Sequence, residues 1–183
     1  MCSSDLLPRV MPVLPGFEIA GASVPATEAG GDYLDFVPLA NGQLLLGIGD
    51  VSGHGLGPAQ LVASARASIR ILAGLDMALE TVVSLVNERL VEDTNEEFMT
   101  LLLGVIDPRE HSLVYFNAGH CRGLILDAAG AVRTTLESGG LPLGIRPDSS
   151  LQQASTVRLL PGDLLLLHSD GVTEAHQIGR AHV

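Results

Sequence analysis

The stretch Gln43-Leu44-Leu45-Leu46-Gly47-Ile48-Gly49-Asp50-Val51-Ser52-Gly53-His54-Gly55-Leu56-Gly57-Pro58 decides how the rest of the chain is read. Leu44 to Ile48 is apolar without alternation, the mark of a strand covered on both faces. Gly49 to Gly57 is glycine-rich and reads as a loop. Pro58 then suits the first turn of a helix, where its missing N–H costs nothing. Upstream, Tyr33–Leu39 and Gln43–Val51 form a hairpin across Asn41-Gly42, a strong turn signal. Downstream, Leu61, Ala65, Ile69 and Leu72 recur at helical spacing, and Gly74 ends that helix. Leu79, Val82, Val83, Val86 and Leu90 mark a second helix, followed by a polar turn at Asp93–Glu97.

The remainder reads as strands. Phe98–Ile106, Ser112–Asn117 and Gly123–Asp127 are punctuated by Pro108–Glu110 and Gly119–Arg122. Val132–Leu136 and Thr156–Leu160 are further candidates. Pro161-Gly162-Asp163 turns into Leu164–His168, read as a buried strand ending at Ser169-Asp170-Gly171. Before the hairpin, Pro8, Pro12 and Pro15 exclude regular helix over Leu7–Gly16, and Phe17–Val24 is read as a strand. Strands, two successive helices and then many strands argue against alternating βαβ units and for an α+β fold. Two helices can cover one face of one sheet; its other face needs a second sheet or more chain.

Composition narrows the function. The 183 residues carry 21 Asp and Glu against 10 basic residues, a formal charge of −11, and every basic residue is Arg. So acidic a chain is a poor candidate for gripping nucleic acid or an anionic membrane. Hydrophobic residues make up 46% and aromatics 3%, with no Trp, so the core is built from Leu, Val, Ile and Ala. No apolar run approaches the length of a membrane span, and no secretory signal is visible. Cys2 and Cys121 make no disulfide framework, and the expected setting is cytoplasmic and reduced.

The termini read differently from the rest. Cys2-Ser3-Ser4-Asp5 can be encoded TGC TCT TCC GAT, whose reverse complement translates as Ile-Gly-Arg-Ala, the sequence of Ile178-Gly179-Arg180-Ala181. The two ends thus resemble the two strands of one sequencing-library adaptor. Residues 1–6 and 178–183 are expected to be adaptor-derived, leaving 7–177 as an incomplete domain. The source locus should then show an open reading frame running past both ends; a natural stop codon directly after Val183 would refute this.

Three acidic residues share a setting. Asp32 follows Gly30-Gly31 at the start of a strand. Asp50 ends the apolar strand, and Asp170 follows the Leu-rich one. A buried carboxylate is costly unless it is paired or binds a cation, and the chain has no Lys. Adjacent glycines let backbone approach a ligand, and carboxylate oxygens suit Mg²⁺ or Mn²⁺. Taken singly, each Asp is more simply a turn cap; together they point to a carboxylate-lined divalent metal site able to activate water on a phosphoryl group.

These segments resemble the RsbU/SpoIIE-type bacterial serine phosphatases. The matching motifs are Pro25–Phe36, with Gly30-Gly31-Asp32; Ile48–Gly55; Phe98-Met99-Thr100 into Gly104–Asp107; Tyr115-Phe116-Asn117-Ala118-Gly119-His120; Leu141-Pro142-Leu143-Gly144; and Leu160–Asp163 through Ser169-Asp170-Gly171-Val172-Thr173-Glu174-Ala175. They stand in the family's order and span residues 7–177. The resemblance implies the 2C-type phosphatase fold, two antiparallel sheets flanked by helices, with the last strand or strands missing from this chain. It implies hydrolysis of phosphoserine or phosphothreonine on a regulator of the anti-anti-sigma-factor type, with two Mn²⁺ or Mg²⁺ ions. By position, Asp50 would bridge the metals with the Val51 carbonyl as a further ligand, while Asp32 and Asp170 would each serve one. It also implies a sensory or receiver domain before this one, and allows a homodimer.

Other residues are weighed against that site. His54 would protonate the leaving serine oxygen, with a backbone-binding loop histidine as the equal alternative. His120 is read as shaping a turn, Glu174 as a support or switch, Asp35 as a surface residue and Cys121 as inert. Gly-Gly-Asp also resembles diguanylate cyclases, but Tyr33-Leu34 replaces their acidic-aromatic pair and nothing else fits. The family's further metal-binding Asp lies on a strand beyond the Asp170 loop, which this chain does not reach. The rival readings are therefore a non-catalytic partner-binding pseudophosphatase, or a fragment inactive for lack of that Asp.

Overall fold

The computed structural model describes residues 11–23, 31–75, 77–93, 97–147 and 153–173. The adaptor-like ends, Pro25–Gly30 and Glu174 lie outside them, as does the middle of the Asp93–Glu97 turn. The elements run β1 (Asp32–Pro38), β2 (Leu44–Val51), α1 (Leu56–Ala73), α2 (Leu79–Asp93), β3 (Met99–Asp107), β4 (Ser112–Ala118), β5 (Gly123–Leu126), β6 (Val132–Leu136), β7 (Ser155–Arg158), β8 (Leu164–Leu166) and a single turn, α3 (Asp170–Thr173). They form a five-stranded sheet, β1-β2-β3-β4-β7, and a three-stranded sheet, β6-β5-β8. All described strand pairs are antiparallel.

Alternation along β2 explains the layers. Leu45 and Val51 face one way, into a core shared with Leu61, Val62, Ala65 and Ile69 of α1 and Val82, Val83, Val86 and Leu90 of α2. Leu44, Leu46 and Ile48 face the other way, into a core shared with Ile125 of β5 and Leu136 of β6. The second sheet is thus what covers the other face of the first, and the α+β expectation holds. Among the described residues both long helices lie on the larger sheet, so the flanking by helices is one-sided. The hairpin turns where expected: Gly42 takes φ 85° and donates its N–H to the Leu39 carbonyl at 3.0 Å.

Several expectations fail. Phe17–Val24 is not a strand over its described residues; Phe17 makes one bridge back to Leu14 across Pro15-Gly16, with Gly16 at φ 81°. Phe17 and Ile19 instead pack against the rim of the inter-sheet core. Of the two overlapping readings, the Gln43–Val51 strand holds and the loop start at Gly49 does not, because β2 runs through Asp50 and Val51. The Leu164–His168 strand stops at Leu166 and is not buried on both faces: Leu164 is 55% and Leu166 41% exposed. It sits at the sheet edge, paired with β5, and its outward pleat carries these two leucines opposite Leu126 and Leu124. Asp170 accordingly opens α3 rather than ending a strand.

Asp35 is the sharpest correction. It is fully buried, not at the surface. Asp35 and Asp32 lie three positions apart, on opposite faces of β1, and Asp35 points to the helices. There Arg70 grips it with a two-pronged contact, Nε–Oδ2 2.6 Å and Nη2–Oδ1 2.7 Å, and Arg66 adds Nε–Oδ2 at 3.3 Å. The two arginines stand one helical turn apart on α1, so one carboxylate receives both. Removing a partner leaves charge buried. Arg70→Leu should therefore lower stability by about 3 kcal/mol, seen as a lower urea midpoint, whereas exposed Arg89→Leu should change it little.

Candidate functional site

The register of the larger sheet assembles the acidic residues. Asp32 and Asp50 are directly opposed on β1 and β2, and Asp50 is opposed by Thr100 on β3. Alternation puts all three on the face toward the smaller sheet, at the end of the row that begins with Leu44 and Leu46. Asp170 reaches the same place from the other sheet, through the β8–α3 connection. With Asp50, Ser52, Phe98, Thr100, His120 and Cys121 it lines a cleft of about 250 Å³. The site therefore sits at one end of the sandwich, between the two sheets.

Its electrostatics are unbalanced. Burial, then Asp32, then Asp170 push the Asp50 carboxyl up to about 6, against a smaller opposing pull from the Val51 N–H. Burial and then Asp170 also raise Asp32. Among the described residues no arginine forms an ion pair with any of the three. The contrast with Asp35 on the same strand is direct: that acid carries its own cations. Three repelling carboxylates lower their energy by protonation or by binding a cation.

Local backbone leaves room for one. A Cβ at Gly31 would lie 2.5 Å from the Val51 carbonyl and 3.0 Å from Asp50 Oδ1. Glycine there keeps open a pocket beside a carbonyl and a carboxylate, both hard oxygen donors of the kind Mg²⁺ and Mn²⁺ take. The donor chemistry fits a divalent cation. Among the described residues, however, no three His, Cys, Asp or Glu side chains converge into a finished cage. The donors are two facing carboxylates and a carbonyl, with Asp170 across the cleft.

Around this core, His54 is exposed in the loop between β2 and α1 and is not among the cleft-lining residues. His120 does more than shape a turn. Its backbone N–H donates to Asn117 Oδ1 at 2.9 Å, as a turn residue would, but its ring lines the cleft. Ring Nδ1 lies 2.9 Å from Thr100 Oγ1, whose hydroxyl also stands 3.3 Å from the Asp50 carbonyl. Cys121 lines the cleft beside it. The sequence reading assigned Thr100 no role; two-residue alternation with Leu102 placed it on the inter-sheet face, but only pairing with β2 shows that it faces Asp50.

Comparison with known proteins agrees with the fold. Residues 40–182 match the family model for Stage II sporulation protein E (SpoIIE). The chain belongs to this family, the SpoIIE/RsbU-type serine phosphatase domains. It is 30% identical to protein IcfG of Synechocystis over 93% of its length and 31% of that protein's. It is also 30% identical to phosphoserine phosphatase RsbU of Bacillus subtilis, over 92% of its length and 50% of RsbU's. The chain thus spans about a third to a half of these curated relatives. The solved 2C-type phosphatase domain of SpoIIE from Bacillus subtilis shares the fold, with a TM-score of 0.71 and 21% identity over 84% of this chain and 44% of that one. No helix among the described residues is long and apolar enough to cross a membrane.

The raised Asp50 carboxyl gives a signed prediction. Its folded value lies above the ordinary carboxyl value of 3.8, so the folded state binds the proton more tightly than the unfolded one. Metal-free protein should lose stability as pH rises from about 4 through about 6, by roughly 1–2 kcal/mol after allowing for solvent screening. Urea midpoints at pH 5 and 7.5 check this, and millimolar Mg²⁺ should remove the difference.

Proposed function

We propose that this domain is a metal-dependent phosphoserine and phosphothreonine protein phosphatase acting on a bacterial regulatory protein of the anti-anti-sigma-factor type. The observation that carries the reading is the facing pair Asp32 and Asp50, repelled by Asp170 across the cleft and given no cation by the protein. The 2C-type phosphatases are metal-dependent, and RsbX, a solved relative of the same fold, is described in complex with magnesium. Asp32, Asp50, the Val51 carbonyl and Asp170 would hold two Mn²⁺ or Mg²⁺ ions, with Asp50 shared between them. Bound there, the ions supply an activated water and neutralise charge on the phosphoryl group.

The chain's own residues set the conditions for that chemistry. The β1–β2 pairing holds Asp32 and Asp50 on rigid backbone. Gly31 keeps the approach to the Val51 carbonyl open, and β3 pairs Thr100 opposite Asp50. His54, on the exposed loop, would protonate the leaving serine oxygen. The domain would act in the cytoplasm, coupled to a sensory or receiver domain and able to form a homodimer.

Phosphate release from a phosphoserine anti-anti-sigma-type protein, with Mn²⁺ and with excess EDTA, tests the reading. Release should require metal. Asp50→Asn should cut the rate by more than about a hundredfold, since even residues behind a metal's ligands are worth about 10- to 100-fold. The fold should survive, because a facing carboxylate charge is removed rather than added. Normal metal binding without release would replace the enzyme reading with the partner-binding one.

A further inference from the structure

We propose that His120 is a phosphate-binding residue of the cleft, its ring Nε2–H a donor held ready for a phosphoryl oxygen. The inference rests on the phosphatase reading above and adds a contact that acidic residues cannot make with an anion.

The ring is anchored on every side but one. His120 is only 6% exposed, and Nε2 is buried with no hydrogen-bond partner. Nδ1 is engaged with Thr100 Oγ1. The backbone is tied to Asn117, whose side-chain amide donates to the Leu136 carbonyl of the smaller sheet at 3.2 Å. The imidazole is thus positioned from both layers of the sandwich, with one free nitrogen.

Proton placement follows from the partners. The Thr100 hydroxyl has one proton and two acceptors within reach, Nδ1 at 2.9 Å and the Asp50 carbonyl at 3.3 Å. The shorter contact favours donation to Nδ1, so the ring proton sits on Nε2. The His168 carbonyl stands near the ring and favours a protonated nitrogen, though it does not reach hydrogen-bonding geometry with Nε2. Burial lowers the His120 pKa and favours the neutral ring, which accepts at Nδ1 and donates at Nε2.

A buried N–H without an acceptor is costly, and a bound acceptor removes that cost. The same cleft is lined by Asp50 and Asp170, and no arginine lines it. The neighbouring backbone donors are committed, Gly119 N–H to Ser138 Oγ and His120 N–H to Asn117 Oδ1. The imidazole N–H is therefore a donor this cleft holds in reserve for a phosphoryl oxygen.

The test is ¹⁵N NMR of the histidine rings in Mg²⁺-containing buffer during titration with inorganic phosphate, with calorimetric phosphate affinities for wild type, His120→Phe and Thr100→Val. In wild type the ring proton should sit on Nε2, and the Nε2–H signal should move as phosphate is added. Affinity for phosphate should fall about tenfold, the worth of one hydrogen bond, in His120→Phe, which keeps a ring but has no donor, and less in Thr100→Val, which only frees the ring to change tautomer. A proton on Nδ1, an Nε2 signal indifferent to phosphate, or unchanged affinity in His120→Phe overturns the proposal; the wild-type spectra decide even where a variant fails to fold. Turnover of a phosphoserine peptide separates this idea from the one beneath it. Phosphate binding through His120 without turnover would remove the catalytic reading and leave the phosphate site. Turnover with wild-type KM in His120→Phe would do the reverse.

Discussion

The antiparallel register of β1 on β2 is the constraint from which both the site and the helix layer follow. It sets Asp32 opposite Asp50 and Asp35 opposite Gly47. Because side chains alternate across a strand, a slip of one residue would exchange the two faces. Asp32 would then face the helices, and Asp35 would enter the inter-sheet core without its arginines. β2 lies between two apolar layers, so such a slip would be penalised on both. Gly47 supports the arrangement from the helix side, where a Cβ would come within 2.8 Å of the Tyr33 ring.

The same strand carries two acids with opposite fates. Asp35 is buried completely and compensated completely by Arg66 and Arg70. Asp32 is half-buried and faces two further carboxylates. Burying a charge is tolerable when its partner comes from the protein, and that arrangement locks α1 against β1. Where the protein supplies no partner, the uncompensated charge becomes an appetite for a ligand. Asp35 and the cleft acids are thus distinguished by whether the protein supplies their cation, not by residue type or depth alone.

The inter-sheet face also explains why His120 belongs with the acids although it is 70 residues from Asp50 in sequence. Asn117 spans the two sheets through the Leu136 carbonyl and caps the turn that turns His120 inward. Thr100 Oγ1 then stands between the imidazole and the Asp50 carbonyl, at 2.9 Å and 3.3 Å. The polar path runs across the sandwich where its apolar packing ends, so closure of the two sheets and the shape of the cleft are one arrangement.

Much of this was legible in the residues themselves. The unbroken run Leu44–Ile48 foretold a strand buried on both faces, Asn41-Gly42 foretold its hairpin, and the stripes from Leu61 and Leu79 foretold two helices on one face. Those signals are local, because periodicity and turn chemistry act over a few residues. Gly31, Asp32, Asp50 and Asp170 were also marked, by the cost of a carboxylate beside buried backbone. What the sequence could not convey was pairing: Thr100 opposite Asp50, Asp35 beneath two arginines from another element, His120 in the cleft, and Leu164 and Leu166 exposed on a strand that is at the edge of the smaller sheet among the described residues. Each depends on which strand lies beside which and on what covers it. A side chain's partners across a sheet are set by register and layering, and these exist only once the chain has folded.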